Sequence, residues 1–265
     1  DTEPAMHRRP ETKEILGKLG MKSAKRGVCV DCHFTTQHLA GKKRARAISG
    51  PSCESCHGAS GNWIEIHGVY GEDASGGKAT RETEIASHKV ERLQNADDNG
   101  MIRTNNIYAI AKNCYQCHTV PNEDLVNIGG HKSNSDIDFS TWLNKDIKHN
   151  FLYSDGKSNR NAPRDFDIAE RQKKNKIVGL LVDLEYSLRG YAKATSEGDY
   201  SISMKNRIET AISNLTAFES SGGESKDISE ALSYVKNISI SLSKMDELSI
   251  TADNVRKIAI TYSDK

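Results

Sequence analysis

The sequence predicts a mainly α-helical protein in two parts, a loop-rich part over residues 1–163 and an antiparallel helical bundle over residues 164–265. All six cysteines of the chain fall in the first part, in three Cys-x-x-Cys-His motifs. The second part contains no Cys, His, Trp or Pro, and its apolar residues recur at helical spacing. Only 36% of the 265 residues are hydrophobic, which leaves the first part short of apolar material for a core.

The three motifs occupy residues 29–33 (CVDCH), 53–57 (CESCH) and 114–118 (CYQCH). In such a motif two thiols add to the vinyl groups of a haem, and the adjacent imidazole ligates its iron. The spacing therefore predicts three covalently bound haem c groups, which would make the first part a multihaem cytochrome c domain. The predicted thioether residues are Cys29, Cys32, Cys53, Cys56, Cys114 and Cys117, and the predicted proximal ligands are His33, His57 and His118.

Zinc is the main alternative cofactor. The first four cysteines have the spacing C-x2-C-x20-C-x2-C, which is close to that of a four-cysteine zinc site. That interpretation leaves Cys114 and Cys117 without partners and does not explain the histidine after each pair. A disulfide or thioredoxin-like interpretation has the same defect. Haem is therefore favoured.

Six more histidines are available as distal ligands of three irons. His131 follows a Gly-Gly turn that could bring its ring over a haem face, and His149 lies in an apolar segment. His7 precedes the first predicted helix, and His67 follows an apolar patch. The surplus of histidines favours bis-histidine ligation and a low potential. The lower-ranked alternatives are His38, His88, Met6, Met21 and Met101.

Local signals predict the elements of the first part. Pro10 and the acid after it suit the first turn of a helix over residues 10–18. Thr80 and the acids that follow predict a helix over residues 80–95 with Thr80 as its cap. Residues 106–113 are apolar and predict a helix that leads into the third motif. The other segments are a polar connection over 34–52, a surface loop over 71–80 and a short helix over 141–148.

Four apolar stripes at helical spacing define the second part. Gly- and Ser-rich or charged separators lie between them, which predicts antiparallel helices. We interpret the stripes as core rather than as a cofactor site. Their members are Ile177, Leu181, Leu184, Leu188 and Tyr191; Met204, Ile208, Ala211, Leu215 and Phe218; Ile228, Leu232, Val235 and Leu242; and Leu248, Ala252, Val255, Ala259 and Tyr262.

The net charge of +1 favours neither nucleic acid nor another strongly charged partner. The basic run over residues 42–46 is typical of a solvated loop, and it could also pair with a haem propionate. No stretch is apolar enough to span a membrane, and the first residues lack the features of a signal peptide. We expect a mature chain located in the periplasm or otherwise outside the cytoplasm, where haem is attached covalently.

The segment GPSCESCHG over residues 50–58, with His67 after it, resembles the multihaem cytochromes of the cytochrome c-554 type. The resemblance covers roughly residues 1–150 and implies stacked haem pairs that move electrons. It also implies a distal role for an N-terminal histidine such as His7. That family normally carries four haems, and this sequence lacks the first. The trailing histidine ligates that first haem in tetrahaem members, so His67 would serve a different iron here or none.

Two functions remain open at this point. The first is a carrier that passes single electrons between redox partner proteins, since enough histidines are present to saturate every iron. The second is a multihaem oxidoreductase that acts on a small nitrogen or sulfur compound at one five-coordinate haem, with a cation such as Lys89 or Arg92 binding the anion. A further hypothesis is that the C-terminal helices dock a partner or a second copy. The carrier is favoured.

Overall fold

The structure is a computed structural model. It describes residues 6, 8–133, 135, 137–143, 167–222, 226–236 and 238–265. Over these ranges the protein is mainly α-helical, as the sequence predicts, and its only sheet is a hairpin of two short strands. No helix in these ranges is both long and apolar enough to cross a membrane.

Eleven α-helices and two strands are described. The helices are α1 (Pro10–Lys18), α2 (Val30–His33), α3 (Cys53–His57), α4 (Ala86–Asp98), α5 (Ile107–His118), α6 (Glu123–Asn127), α7 (Phe139–Thr141), α8 (Ile168–Tyr191), α9 (Asp199–Ser220), α10 (Lys226–Val235) and α11 (Met245–Asp264); the strands are β1 (Thr35–Gln37) and β2 (Arg46–Ser49).

Helix α8 is the centre of the C-terminal bundle and packs against both α9 and α11. The apolar stripes predicted from the sequence form the core, because side chains three and four positions apart share one face of a helix. Leu181, Leu184 and Leu188 of α8 are fully buried. The third stripe differs from the prediction, because α10 ends at Val235 and Leu242 lies in the short 3-10 turn before α11.

Helix α5, which carries the third Cys-x-x-Cys-His motif, packs on α8 and belongs to the same hydrophobic cluster. Other bonds also join the two parts of the chain. The Glu123 carboxylate of α6 accepts hydrogen bonds from the backbone and hydroxyl of Thr195, between α8 and α9. The Tyr200 N–H donates to Asn127 Oδ1 at 2.9 Å. The predicted boundary at residue 163 lies outside the described residues and stays a prediction.

Two sequence predictions for the first part are wrong in detail. The predicted polar connection over residues 34–52 contains the antiparallel pair β1–β2. Helix α4 begins at Ala86, not near Thr80, whose backbone N–H instead donates to the Thr83 hydroxyl oxygen at 2.8 Å in a turn. The helix predicted over 10–18 is confirmed, and α5 extends the predicted 106–113 helix through the motif. Most of the helix predicted over 141–148 lies outside the described residues.

Candidate functional site

The second motif forms one short helix, α3, with a hydrogen-bonded start. Ser52 caps it by accepting from the Glu54 N–H, and the Ser55 hydroxyl accepts from the Ser52 N–H. The Glu54 carboxylate accepts two bonds of 2.6 Å from the backbone and hydroxyl of Ser60, which lowers the pKa of Glu54. The turn after the motif is thereby fixed, and the sulfurs and imidazole of the motif lie within one rigid helical segment.

Gly58 ends α3 in a conformation with φ 81° and ψ 162°, a region that is accessible to glycine almost alone. A β-carbon at this position would also lie 2.7 Å from the Gly100 carbonyl oxygen. We expect Gly58→Ala to lower the free energy of unfolding by about 1–3 kcal/mol, measured by urea unfolding. Gly61→Ala is the matched control, because its β-carbon would meet nothing within 4 Å; equal losses in the two variants would contradict this prediction.

The three motifs converge on α5. Asn113 Nδ2 donates to the Cys56 carbonyl oxygen at 2.9 Å, which joins the third motif to the second. The Cys117 thiol donates to the Asp31 carbonyl oxygen at 3.8 Å, which joins the third motif to the first. The thiols of Cys56 and Cys114 also lie within hydrogen-bonding reach of each other, and this contact lowers the pKa of Cys56. The cysteines of all three motifs therefore lie in one region of the molecule.

The first and second motifs are also joined directly, through the start of β1. The side chain of Thr35 is buried, and its Oγ1 lies 2.9 Å from both the Gly50 carbonyl oxygen and Ser52 Oγ. The hairpin therefore holds the residue after the first motif against the cap of the second. This connection is long-range, which explains why a polar stretch of sequence gave no sign of it.

Two of the predicted proximal histidines are held in the tautomer that a metal ligand needs. His57 Nδ1 lies 2.7 Å from the Ile102 carbonyl oxygen, which can only accept, so Nδ1 carries the proton and Nε2 the lone pair. His118 Nδ1 lies 2.7 Å from Ser135 Oγ, and this hydroxyl can itself donate to the His118 carbonyl oxygen at 3.4 Å, which leaves its oxygen to accept from Nδ1–H. Both rings therefore present an Nε2 lone pair suited to binding iron.

The surroundings of His118 also favour its neutral form. Burial lowers the pKa of this imidazole, and the positive charge of Arg207 and the proximity of His33 lower it further. The ring of Trp142 packs edge-on against it, with centroids 4.5 Å apart. A metal-binding imidazole must be unprotonated at the ligating nitrogen, so this environment suits ligation.

His131 lies beside the first motif. Gly130 has φ 75°, a value that favours glycine, and the turn it makes after α6 brings the His131 ring to 6.2 Å from the His33 ring, measured between centroids. His131 Nδ1 donates to the Lys132 carbonyl oxygen at 2.7 Å, which again places the lone pair on Nε2. Of the predicted distal ligands, His131 is the one that the structure brings next to a proximal ligand within the described residues.

The low-ranked His88 and the backbone of His67 both contact the buried Glu84–Arg92 ion pair. The Glu84 carboxylate accepts from His88 Nδ1 at 2.7 Å and from both Arg92 Nε and Nη2. Arg92 Nη1 donates to the His67 carbonyl oxygen and its guanidinium lies over Tyr70, so the cluster fixes the 67–70 turn. Sequence ranking missed the role of His88, which the Glu84–His88 spacing of four residues on a helix could have indicated.

The other predicted ligands are not placed beside a proximal histidine within the described residues. His7 and His149 lie outside the described residues, and His38 is exposed after β1. Among the residues that are described, no three His, Cys, Asp or Glu side chains gather as a metal-ion site. A haem iron takes four ligands from its porphyrin and needs only one or two from the protein, so such a cluster is not required for haem.

A buried donor near His67 also fits a haem. The Trp63 side chain is 4% exposed and packs edge-on against the His67 ring, with centroids 5.2 Å apart. Its Nε1 has no hydrogen-bond acceptor within the described part of the chain. A buried indole N–H usually finds an acceptor, and a haem propionate would provide one. The donors and ligands that are present are therefore consistent with haem.

Comparison with known families supports the same cofactor. Residues 4–58, which include the first two motifs, match the model of the family described as Cytochrome c554 and c-prime. The match supports a c-type cytochrome with covalently bound haem, and electron transfer as its chemistry. No curated protein matches the chain, and no solved structure does. The C-terminal bundle lies outside the matched residues.

Proposed function

We propose that this protein is a trihaem c-type cytochrome that transfers single electrons between redox partner proteins outside the cytoplasm. The observation that carries the proposal is the convergence of all three motifs on α5, where Asn113 binds the Cys56 carbonyl oxygen and Cys117 lies beside Asp31. Three haems attached in one region would have neighbouring edges, which is what passing electrons from one to the next requires. When bound, the haems supply reversible one-electron chemistry.

The chain's own residues have three tasks in this proposal. The cysteine pairs anchor the groups, and the proximal imidazoles bind iron through Nε2 while Ile102 and Ser135 fix their orientation. The bundle gives α5 a rigid support, since Tyr115 and other α5 residues are buried against α8. A rigid, water-poor support keeps the reorganisation on electron transfer small.

Bis-histidine ligation at the first motif is supported by the separation of His33 and His131. Two imidazoles that shared one iron would have ring centroids about 6 Å apart, given metal–nitrogen bonds of about 2 Å and ring centres about 1 Å behind the nitrogens. The observed centroid separation of 6.2 Å is compatible with such sharing. We infer that His131 is the distal ligand of the first haem. The distal roles of His7, His67 and His149 stay predictions.

The alternative is an oxidoreductase with one five-coordinate haem that binds a small anion. Arg92 is poorly suited to that role, because its side chain is 9% exposed and bound to the Glu84 carboxylate and to the His67 carbonyl oxygen. Rapid binding of cyanide or nitric oxide by the ferric protein would favour the enzyme over the carrier. Docking of a second copy through the C-terminal helices also stays a prediction, which light scattering can check.

The number of haems is the direct test of the proposal. We expect the protein, produced with a haem-attachment system, to carry three covalent haems by intact mass and by its pyridine haemochrome spectrum. Replacing both cysteines of the second motif, Cys53→Ser with Cys56→Ser, removes one haem, because the thioether bonds are lost. A colourless protein without added mass, or haem retained in the double variant, would refute the assignment.

A further inference from the structure

Arg207 lies on α9, outside the residues matched by the cytochrome family, yet its side chain reaches the third motif. The side chain is only 7% exposed, and Nε donates to Asp183 Oδ1 at 2.7 Å. Its Nη1 donates to the Ser135 carbonyl oxygen at 3.1 Å, and the guanidinium lies 5.6 Å from the centre of the Tyr115 ring. One buried cation therefore contacts α8, α5 and the segment between α6 and α7.

Ser135 in turn contacts the proximal histidine at three points. Its backbone N–H donates to the His118 carbonyl oxygen at 3.2 Å, and its hydroxyl lies 3.4 Å from the same oxygen. The hydroxyl oxygen lies 2.7 Å from His118 Nδ1. The position of Ser135 therefore decides the orientation of the imidazole.

We propose that Arg207 is a positioning residue for the third haem site, holding Ser135 so that its hydroxyl keeps the Nδ1–H bond of His118. The inference rests on the proposed function, because it takes the third motif to carry haem. In this arrangement a residue of the C-terminal bundle influences the reduction potential of the third haem. An acceptor on Nδ1–H increases the electron density of an axial imidazole, which stabilises the ferric iron.

The chemistry of the pair explains why arginine is present. A buried cation is tolerated only with a close counter-ion and satisfied donors, and Asp183 supplies the counter-ion. The Ser187 hydroxyl donates to the Asp183 backbone carbonyl oxygen at 2.7 Å and lies 3.3 Å from Asp183 Oδ1. The planar guanidinium donates to Asp183 from Nε and to the Ser135 carbonyl oxygen from Nη1. Lysine has a single ammonium nitrogen and cannot reproduce these two fixed donor directions. Arg207→Lys therefore keeps the charge and removes the geometry.

A double-mutant cycle with Ser135→Ala and Arg207→Lys tests the proposal on the haem-loaded full chain. The readouts are the midpoint potentials of the haems from an optical redox titration and the ferric electron-paramagnetic-resonance signals. Ser135→Ala should raise the potential of one haem, because the Nδ1–H bond is lost. Arg207→Lys should raise the potential of the same haem by less. The double variant should match Ser135→Ala, because Arg207 acts through the hydroxyl that is already absent.

Arg189→Lys is the matched control, since Arg189 also bridges two carboxylates in the bundle but has no bond to the third motif among the described residues. It should leave every potential unchanged. The proposal is overturned if Arg207→Lys carries its haems and has wild-type potentials and signals, or if the two substitutions act additively. Mass analysis of the digested wild-type protein shows whether the fragment that contains Cys114 and Cys117 carries haem. If it does not, the proposed function fails, and this inference fails with it.

Discussion

We expect His131→Ala to convert one haem of the loaded protein from low spin to high spin. The His131 and His33 rings lie 6.2 Å apart between centroids, a separation compatible with two imidazoles on one iron. Loss of one strong axial ligand leaves a five-coordinate or water-bound iron, which is high spin in the ferric state. The measurement is the ferric electron-paramagnetic-resonance spectrum, with a high-spin signal accounting for one haem in three.

Exogenous imidazole gives this experiment a rescue. Added to His131→Ala, it should fill the vacant position and restore the low-spin spectrum. His38→Ala is the control, because His38 is exposed on the loop after β1 and should leave the spectrum unchanged. A fully low-spin His131→Ala protein, without added imidazole, would rule out His131 as the distal ligand.

Leu184→Ala should destabilise the protein by about 2–5 kcal/mol, the range for removing a leucine from a packed core. Leu184 is fully buried on α8, in the cluster that also contains α5. The loss is expected in the midpoint of urea unfolding, followed by far-ultraviolet circular dichroism. Ile202→Ala is the matched control on α9, since Ile202 is 54% exposed and its loss should change stability by about 0.5 kcal/mol or less.

The same variant also tests whether the two parts of the chain share one core. Tyr115 of α5 is buried with Leu184 in a single hydrophobic cluster, so weakening the bundle should also increase hydrogen exchange in α5. Exchange that increases in α8 alone would mean that the motif helix is stabilised independently. A cost no larger than that of Ile202→Ala would contradict the assignment of Leu184 to the core.

The bundle could be predicted from the sequence because helical periodicity is local. Each apolar stripe needs only side chains three and four residues apart, and the predicted residues of α8 are buried. The motifs and their proximal histidines could be predicted for the same reason, since a spacing of two residues defines them. The residues that define each of these features lie within a few positions of one another in the sequence.

The remaining features depend on contacts between distant residues. The N-terminal end of α4 is predicted wrongly because Glu84 binds Arg92 and His88 instead of serving as a first-turn acid of the helix. The 6.2 Å approach of His131 to His33 and the bond from Arg207 to Ser135 join residues far apart in sequence. No pattern within a single segment indicates such pairs, so histidines could be ranked as ligands but not assigned to irons.

Burial of Cys114 has a consequence for how the protein is made. Only 7% of this residue is exposed, and the helix that carries it is covered by α8. If the third motif carries haem, as proposed, the catalyst that attaches it must reach both sulfurs before α8 covers them. We therefore expect haem attachment at the third motif to precede closure of the C-terminal bundle, so a variant whose bundle closes early would accumulate with that motif unmodified.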